Sequence, residues 1–469
     1  MADGHAGLVD HDYDLIVIGG GAAGLTAAQA GAAARARTLL VAEGEPGGEC
    51  TFTGCVPSKT LIEAAARGAG FTEAMAAVRK AVAAVAATES ADVLTGRGIS
   101  VLRGHAEFTS PRQVAVNGRT VRARGFVLAS GSRPAVPSVP GLAAVPYLTN
   151  ENVFGLDRLP GSLAIVGGGA IGCELAQAFR RLGSQVTLIE AGPRLLPAAD
   201  PQASQVIGEV LAAEGTTVRT SSAVGKIEAS PNGSGFLLRL DDSSEVAVTH
   251  LLVAAGRVPV ADGLGLDAAG VRVNESGAVA VDGHLATTAP GIYAAGDCTG
   301  LMPFTHAAYA MGRVAARNAL RGRRWPRDSF SADGIPWAVF TDPEVAQAGL
   351  TEEQAAGVRG ARVAYLPMRE VDRAVTAGRT EGFVKLIAGP RRLTGSLGGG
   401  RVLGATVVAS RAGEMIDEIA LAMRAGMFTG RLAQASHAYP TWSLAIQQAA
   451  AQFFSGYGDR TARPARPAR

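Results

Sequence analysis

Two cysteines with four residues between them, Cys50 and Cys55, are the residues of this chain best suited to redox chemistry. Positions three or four apart share a helix face, so cysteines five apart can close a disulfide where the helix start is distorted, which Gly54 permits. A thiolate there faces unpaired backbone N–H groups, which lower a thiol pKa, and Lys59 adds a positive charge one turn on. The alternative is two buried cysteines acting as small apolar side chains. The flanking motifs favour a redox-active pair.

The most informative of these motifs is a segment that occurs twice. Residues 14–24 (DLIVIGGGAAG) match residues 162–172 (SLAIVGGGAIG). Each copy begins with an apolar β-branched run, passes a glycine cluster and continues as an Ala/Leu-rich helix. A second strand then ends in an acid, Glu43 or Glu190, near the expected spacing of about 20 residues. A lone glycine fingerprint is weak evidence, but the complete unit occurring twice predicts two Rossmann-like nucleotide-binding units.

The glycines of both clusters have physical roles. In each cluster the first allows a tight turn, the second lets the backbone approach a pyrophosphate, and the third allows close helix packing. They are Gly19, Gly21 and Gly24 in the first unit, and Gly167, Gly169 and Gly172 in the second. Glu43 and Glu190 are expected to accept hydrogen bonds from a ribose 2′-hydroxyl. A carboxylate at the second site repels the 2′-phosphate of NADP, which favours NADH, although Arg194 softens that preference.

Length and composition bound the remaining possibilities. The 469 residues suffice for roughly three domains. No apolar run approaches the roughly 20 residues of a membrane span, and the N-terminus lacks a secretory signal, so the expected location is cytoplasmic, without a membrane partner. Four cysteines exclude a disulfide-rich secreted scaffold, and no Cys/His spacing suggests a metal site.

The basic C-terminus accounts for the net charge. The net charge of the chain is +3. Residues 459–469 have the same net charge, because they contain four arginines and one acidic residue, Asp459. The arginines are Arg460, Arg463, Arg466 and Arg469. Without other basic patches, we expect a disordered tail over 458–469 and no nucleic-acid partner.

Two further strand ends carry candidate site residues. Residues 121–134 read as a strand that ends in Ala-Ser-Gly, with Ser130 and Gly131 in the turn. Residues 291–297 are another apolar strand followed by a turn and an acid, Asp297. From about residue 321 the sequence pattern changes to alternating strand-like runs and amphipathic helices. This change predicts a separate C-terminal domain.

In combination these motifs resemble the class I pyridine nucleotide-disulfide oxidoreductases, the family of lipoamide dehydrogenase, glutathione reductase and mercuric reductase. The resemblance covers residues 12–457 and rests on both fingerprints, the Gly-Cys-Val-Pro-Ser-Lys segment, Ala-Ser-Gly and Ala-Ala-Gly-Asp. It implies an α/β fold with two Rossmann-like FAD- and NAD(P)-binding domains and an α+β C-terminal dimerisation domain. The implied bounds are 12–155 and 281–325 for the FAD domain, 156–280 for the NAD(P) domain and 326–457 for the dimerisation domain.

The resemblance also implies roles for the candidate residues. FAD would bind the first unit, with Asp297 on its ribityl chain, and the nicotinamide nucleotide would bind the second. Cys50 would be the interchange thiol that attacks substrate, and Cys55 the charge-transfer thiol. Lys59 would pair with Glu174 beside the flavin N5. His306 falls where lipoamide dehydrogenases place a flavin-side histidine, and active sites would be shared between the subunits of a homodimer.

The chain departs from the family near its C-terminus. Members that reduce or oxidise thiols carry His-x-His-Pro-Thr-x-x-Glu, whereas this chain has His437, Tyr439 and Leu444 at the positions of the two histidines and the glutamate. With an unperturbed pKa near 10, only about one tyrosine in a thousand is ionised at pH 7, so Tyr439 is a poor general base. His437 is on the same side of an extended segment and is a candidate replacement, the alternative being a packing histidine.

These observations predict an FAD-dependent NAD(P)H oxidoreductase that acts on a sulfur group. Electrons would pass from NADH, the favoured donor, through FAD and the Cys50–Cys55 dithiol to a small disulfide-type acceptor that needs little proton handling. A soft metal ion, as in mercuric reductase, a quinone and lipoamide remain alternatives; the C-terminal cysteine pair of mercuric reductases is absent. A non-catalytic redox-responsive flavoprotein is a remote alternative, because Cys50, Cys55, Lys59 and Glu174 are all retained.

Overall fold

The computed structural model describes residues 12–230, 235–322, 326–391, 393 and 395–467. The N-terminal residues 1–11, expected to carry no secretory signal, and Arg469 of the basic tail lie outside the described residues. The chain divides into two compact units. The first comprises residues up to Pro57, Ala76–Ala135 and Arg257–Ala332, and the second comprises Ser58–Met75, Val136–Gly256 and the residues from Asp333 onward.

Helices in both units are short to medium in length. They are α1 (Ala22–Ala33), α2 (Gly48–Phe52), α3 (Cys55–Ala66), α4 (Phe71–Glu89), α5 (Ala91–Gly96), α6 (Ala170–Arg181), α7 (Pro201–Ala213), α8 (Leu266–Ala269), α9 (Thr305–Arg321), α10 (Glu352–Ala355), α11 (Asp372–Ala377), α12 (Ala412–Arg424), α13 (Thr429–Gln434) and α14 (Leu444–Ala451). Within the described ranges, no helix is long and apolar enough to cross a membrane.

Strands outnumber helices. They are β1 (Tyr13–Ile18), β2 (Thr38–Ala42), β3 (Ile99–Arg103), β4 (Ala106–Ser110), β5 (Gln113–Val116), β6 (Arg119–Leu128), β7 (Ser132–Pro134), β8 (Ser162–Val166), β9 (Gln185–Ile189), β10 (Thr217–Arg219), β11 (Val224–Ala229), β12 (Phe236–Leu240), β13 (Glu245–Val248), β14 (His250–Val253), β15 (Arg257–Pro259), β16 (Ile292–Ala294), β17 (Trp337–Val339), β18 (Glu344–Gly349), β19 (Arg362–Pro367), β20 (Phe383–Gly389), β21 (Arg401–Ala409) and β22 (Arg463–Pro464).

The first unit is built on one seven-stranded sheet. Its order is β3-β2-β1-β6-β5-β4, with β16 also paired to β6. Strands β3, β2, β1, β6 and β16 run parallel. The apolar β-branched runs predicted as strands are these central strands, buried on both faces as parallel strands are. Their carboxyl ends share one edge, which brings together the residues that follow β1, β2, β6 and β16.

The second unit contains the repeat of this architecture and a separate sheet. Strands β10, β9, β8 and β14 form a parallel sheet, and β11, β12 and β13 form a small antiparallel one. From residue 337 onward the strands form a six-stranded sheet of order β17-β18-β21-β20-β19-β22, antiparallel wherever strands pair. Helices α12 and α14 contribute to the same core as this sheet. The predicted α/β class, with two Rossmann-like units and an α+β C-terminal part, is confirmed.

The chain returns to the first unit at Arg257, where Leu264 and Leu266 pack in the core that contains Phe108 and Phe126. The segment expected to be a disordered tail is described as far as residue 467, and its strand β22 pairs with β19. The physical reason is charge pairing, since Arg460 contacts Glu370 and Arg463 contacts Glu352.

A buried charge cluster lies beneath this C-terminal strand. The Lys385 ammonium, with a side chain 5% exposed, lies 2.9 Å from Asp200 and 3.0 Å from Glu352. Burial raises the pKa of Glu352, but the hydrogen bonds and positive charges of Arg463 and Lys385 together outweigh it, so the pKa is lowered. Asp200 is the N-cap of α7, so the cluster joins the nucleotide-binding repeat to the C-terminal sheet within this unit.

Replacing Lys385 tests how much this cluster stabilises the fold. Lys385→Met leaves two buried carboxylates with one cation fewer, and breaking a buried pair typically costs about 3–5 kcal/mol. We expect a loss of that size in the free energy of unfolding by urea. Lys226→Met is the matched control, since Lys226 pairs with Glu228 but its side chain is 54% exposed, and it should leave the unfolding curve almost unchanged. Equal curves for the two variants would contradict the prediction.

Candidate active site

The two cysteines lie on either side of a helix break. Cys50 is in α2, and Cys55 is the first residue of α3. A Cβ added to Gly54, between the helices, would lie 3.0 Å from the Glu49 carbonyl oxygen and 3.2 Å from the Cα of Cys50. Glycine therefore lets the chain fold back closely over Cys50, as the sequence predicts.

Thr305, at the start of α9, contacts both sulfurs. Its Oγ1 lies 3.2 Å from the Cys50 Sγ and 3.5 Å from the Cys55 Sγ. The sequence reasoning considered only the neighbouring His306, whose ring stacks on Phe304 with centroids 5.8 Å apart. The signal that was available is a hydroxyl residue at the start of the helix that follows Asp297. Thr305 is positioned to stabilise a thiolate in the pair.

The surroundings of Cys50 disfavour its thiolate. The pKa of Cys50 is raised, first by its hydrogen bond to Cys55, then by burial and by the charge on Cys55, while Thr305 lowers it. The lowered thiol pKa expected for this segment is therefore not found at Cys50. A charge on Cys55 therefore disfavours a second charge on Cys50, so the two thiols do not readily ionise together.

Arg257 ties the cysteine segment to Asp297 within the first unit. Its guanidinium makes two hydrogen bonds to the Glu49 carboxylate, one of 2.7 Å, and its Nε donates to the Ser132 hydroxyl at 2.8 Å. Ser132 in turn donates to Asp297 at 2.6 Å. The sequence reasoning missed Glu49, Ser132 and Arg257. Arg257 follows Ala-Ala-Gly at the end of β14, just as Asp297 follows Ala-Ala-Gly at the end of β16, and this parallel was the available signal.

The first glycine cluster fits a dinucleotide pyrophosphate. Gly19 has φ +112°, and an added Cβ would lie 2.1 Å from the Ala129 carbonyl oxygen. A Cβ on Gly24 would lie 1.8 Å from the Gly19 carbonyl oxygen, which shows the close helix packing that was predicted. Gly21 is the N-cap of α1 and supplies no side-chain cap. The first N–H groups of α1 are thus available to an anion, as FAD binding requires.

The other predicted FAD residues lie at the carboxyl edge of the same sheet. Ser130 donates from its hydroxyl to the Val260 carbonyl at 2.6 Å. Gly131 has φ +75° and open space where a Cβ would be. Glu43 is exposed and lies 2.5 Å from the Nδ1 of His105, a contact that raises the pKa of His105. The Glu43 carboxylate remains reachable by a ribose.

The second cluster repeats this geometry in the second unit. Gly167 has φ +114°, and Cβ atoms on Gly167 and Gly172 would clash with carbonyl oxygens at 2.3 and 1.8 Å. Gly169 is the N-cap of α6, again without a side-chain cap. Glu190 accepts the N–H of Gly168 and that of Gly192, both at 2.6 Å. Glu190 therefore holds the glycine turn in shape, and its negative charge lies directly beside it.

Lys59 and Glu174 form the predicted ion pair. The Lys59 Nζ lies 2.7 Å from the Glu174 carboxylate, whose side chain is only 4% exposed. Phe340, which the sequence reasoning missed, completes the arrangement, since its N–H donates to Glu174 at 2.9 Å and its ring lies 4.7 Å from Lys59 Nζ. A buried carboxylate needs such partners. The Lys59 charge, expected to influence a cysteine thiolate, is thus balanced by Glu174.

The two C-terminal candidates have separate partners. Both ring nitrogens of His437 face oxygen acceptors, the Ala435 carbonyl and the Glu418 carboxylate, each at 3.0 Å. These contacts favour the packing role over that of a free base. Tyr439 donates from its hydroxyl to Asp372 at 2.9 Å. That bond raises the pKa of Tyr439, so the phenolate is scarcer than in an ordinary tyrosine.

The remaining cysteines are buried and structural. Burial raises the pKa of Cys173, and it raises that of Cys298 to about 11. Each donates from its thiol to a backbone carbonyl, Gly168 for Cys173 and Ala295 for Cys298. Across the part of the chain that the structure describes, no group of three or more His, Cys, Asp or Glu residues is arranged to hold a metal ion.

Comparison with known families gives two matches that together span most of the chain. The family described as "Pyridine nucleotide-disulphide oxidoreductase" matches residues 13–312. The "Pyridine nucleotide-disulphide oxidoreductase, dimerisation domain" matches residues 335–450.

Individual relatives cover nearly the whole length of the chain. It is 37% identical over 465 residues to a dihydrolipoyl dehydrogenase of Thermus scotoductus, covering 93% of this chain and 96% of the relative. It is 36% identical over 483 residues to a mercuric reductase of Streptomyces lividans, covering 97% and 98%. Among solved structures, the Cu(II) complex of the HOCl-induced flavoprotein disulfide reductase RclA from Escherichia coli superposes with a TM-score of 0.84 at 30% identity, covering 92% and 98%.

Thr305 can be tested without a bound cofactor. In a Cys55→Ser background, where one thiol of the pair remains, Thr305→Val removes a hydrogen bond that lowers the pKa of Cys50. The pKa rises and the thiolate fraction at pH 8 falls, so iodoacetamide should alkylate Cys50 about 2- to 10-fold more slowly, as expected for ~0.5–1.5 kcal/mol. Mass spectrometry of the Cys50 peptide gives the rate. Thr305→Ser, which keeps the hydroxyl, should react like the parent, and an unchanged rate in Thr305→Val would contradict the role.

Proposed function

The chain belongs to the pyridine nucleotide-disulphide oxidoreductase family, and we propose that it passes electrons from NADH to a small disulfide-type acceptor through Cys50 and Cys55. It is an FAD-dependent oxidoreductase that uses NAD(P)H and contains a redox-active disulfide, and its dimerisation domain indicates a homodimer. The observation that carries the proposal is the pair itself. Both sulfurs lie within 3.5 Å of one hydroxyl at a helix start, and such a pair can form a disulfide and be reduced again.

The residues of the first unit would hold and serve FAD. Bound FAD supplies two-electron chemistry between the nicotinamide and the disulfide. The N-terminus of α1 would bind the pyrophosphate, Glu43 the adenosine ribose and Asp297 the ribityl hydroxyls, and Ser130, Gly131 and His306 would lie beside the flavin. Asp297 is kept in place by Ser132, and Ser132 by Arg257.

The two thiols divide the work. By the family resemblance, Cys55 is the thiolate that faces the flavin, and Cys50 is the thiol that attacks the acceptor. By the family resemblance, Lys59 and Glu174 would form the ion pair beside the flavin N5, and the structure pairs their charges at 2.7 Å. The chain retains Cys50, Cys55, Lys59 and Glu174, which argues against the remote alternative of a non-catalytic flavoprotein.

NADH is the proposed donor. Glu190 lies at the second glycine turn, where a dinucleotide ribose would bind, and both its oxygens already accept backbone N–H groups. Its charge is therefore fixed in position and repels a 2′-phosphate. Arg194, which the sequence suggested would weaken the preference for NADH, donates a hydrogen bond to the Pro197 carbonyl at 3.0 Å.

The proposed acceptor is a disulfide whose leaving thiolate needs no proton. Tyr439 has a raised pKa, and both nitrogens of His437 are engaged, so neither is a ready proton donor or acceptor by itself. A general acid or base contributes roughly 100- to 10,000-fold in rate. Reduction of lipoamide or glutathione disulfide at the rate of a His–Glu enzyme is therefore not expected.

A metal ion is the second candidate acceptor. The chain is 36% identical to a mercuric reductase, and a structurally similar disulfide reductase has been solved as a Cu(II) complex. Two neighbouring thiols are ligands of the kind that soft ions prefer. A quinone, which would take electrons without the thiols, is the third.

The deciding experiment is an anaerobic titration of the purified protein with NADH, followed by separate addition of 5,5′-dithiobis(2-nitrobenzoate), lipoamide, Hg(II) and a quinone. We expect long-wavelength charge-transfer absorbance after reduction, and its rapid loss with the activated disulfide. Reoxidation by quinone or oxygen alone, without that absorbance, would refute the dithiol route.

Cys55→Ser separates the two thiols. Since Cys55 is the proposed charge-transfer thiolate, this variant should lose the long-wavelength absorbance and disulfide reduction while still reducing a quinone. Cys50→Ser, the matched variant, should keep the absorbance and lose only disulfide reduction. A Cys55→Ser protein that retains the band would reverse the assignment of the thiols.

Glu190→Gln tests the donor preference. The amide keeps an acceptor oxygen for the glycine turn but removes the charge that repels a 2′-phosphate. At ~1 kcal/mol for unit charges 4 Å apart in water, the NADH-over-NADPH ratio of kcat/KM should narrow about fivefold. Glu43→Gln, the equivalent change in the first repeat, should leave the ratio unchanged. A wild-type preference for NADPH would overturn the proposal from the start.

A further inference from the structure

The tyrosine at the place of the family's histidine has a carboxylate partner from another element. Tyr439 donates from its hydroxyl to the Asp372 Oδ2 at 2.9 Å. Asp372 is the first residue of α11, 67 residues earlier in the chain. Leu444, where the family's orienting glutamate would be, begins α14 and has no polar group to offer. The acid missing from the motif is thus replaced from elsewhere in the same unit.

The segment that presents Tyr439 is held at several points. Two residues earlier, His437 is fixed between the Ala435 carbonyl and Glu418 of α12. Two residues later, the Thr441 hydroxyl donates to the Ala438 carbonyl at 2.7 Å, and Trp442 packs against the core of the C-terminal sheet. The tyrosine is nevertheless 72% exposed in the single chain, so its ring is available to a partner or substrate.

We propose that Tyr439 and Asp372 form a proton-accepting pair for the interchange thiol across the dimer, with Asp372 as the positioning residue. The inference rests on the proposed function. A phenol has one proton and two acceptor lone pairs. Since the proton is directed to a carboxylate, the oxygen presents its lone pairs outward, toward a donor. Cys50, the proposed interchange thiol, is such a donor while it carries its proton.

The pair removes the need for a free phenolate. The Cys50 S–H proton passes to the phenol oxygen as the phenol's own proton passes to the Asp372 carboxylate. The Cys50 thiolate attacks a disulfide R–S–S–R, forming Cys50–S–S–R and releasing R–S⁻. Cys55 then attacks Cys50, which closes the internal disulfide and releases the second R–S⁻. Asp372 is exposed and returns its proton to water, and the two electrons are those of the dithiol.

Glu370, the acidic residue two positions before Asp372, has its own partner. Glu370 pairs with Arg460, and it raises the pKa of Tyr457 less than burial and Asp372 do. Tyr457 accepts the Gln448 amide at 2.5 Å. Asp372 is thus the group whose charge governs Tyr439, and Glu370 provides a control two residues away.

The test is the rate at which 5,5′-dithiobis(2-nitrobenzoate) reoxidises NADH-reduced holoenzyme, followed in a stopped-flow instrument from pH 4 to 9. We expect Tyr439→Phe and Asp372→Asn each to lower the rate about 10- to 100-fold. The double variant should be no slower than Tyr439→Phe, and Asp372→Glu should recover much of the rate. Glu370→Gln should behave as wild type. Additive losses, or an unchanged rate in Asp372→Asn beside a slow Tyr439→Phe, would overturn the pairing.

A second measurement keeps the pairing testable if no disulfide is reduced. Ultraviolet titration of Asp372→Asn, minus that of Asp372→Asn/Tyr439→Phe, isolates the Tyr439 phenol. Without the carboxylate its pKa falls, so the phenolate should form at lower pH than in the corresponding wild-type difference. Failure of wild type with every disulfide would refute the proposed function, whereas an unshifted phenol titration would refute the role of Asp372.

Discussion

The guanidinium of Arg257 is the interaction on which the first unit's site depends. It links the residue before Cys50 to the hydroxyl that holds Asp297. These segments follow different parts of the chain and share no sequence neighbourhood. A planar fork with several fixed N–H donors is suited to such a junction, because one carboxylate and one hydroxyl can be bound without rotation of the group. The dithiol and the residue proposed to bind the ribityl chain therefore move together.

The same constraint recurs in the second unit with different groups. Glu174 is almost fully buried, and such a carboxylate is tolerated only because Lys59 and the Phe340 N–H satisfy it. Both carboxylate oxygens of Glu190 likewise accept hydrogen bonds from backbone N–H groups. In both cases a carboxylate first stabilises the local backbone, and only its remaining charge is available to a ligand. The site is thus built from groups that are fixed before any ligand arrives.

Much of this arrangement follows from the sequence, because it depends on local pattern. Glycine spacing, the strand before each cluster and the acid after the second strand predict both nucleotide-binding turns, and Gly54 predicts the helix break. The residues that the sequence did not reveal, Thr305, Phe340, Arg257 and Asp372, act through contacts between distant elements. A threonine at a helix start or an arginine after a strand has no local signature of function. The order of the C-terminal segment was not predicted for the same reason, since its partners Glu370 and Glu352 lie about 100 residues earlier in the sequence.

The loss of the family's histidine changes which reactions the dithiol can drive. A histidine with a pKa near 6.5 exchanges protons readily at neutral pH, whereas a tyrosine near 10, raised further here, does not. The raised pKa of Cys50 creates a demand for a proton acceptor, because the thiol proton must leave before the sulfur can attack. A carboxylate behind the phenol meets that demand by taking the proton through a hydrogen bond rather than through an ionised tyrosine. The leaving group must then be a stable anion, and this requirement, rather than the shape of the fold, selects the acceptor.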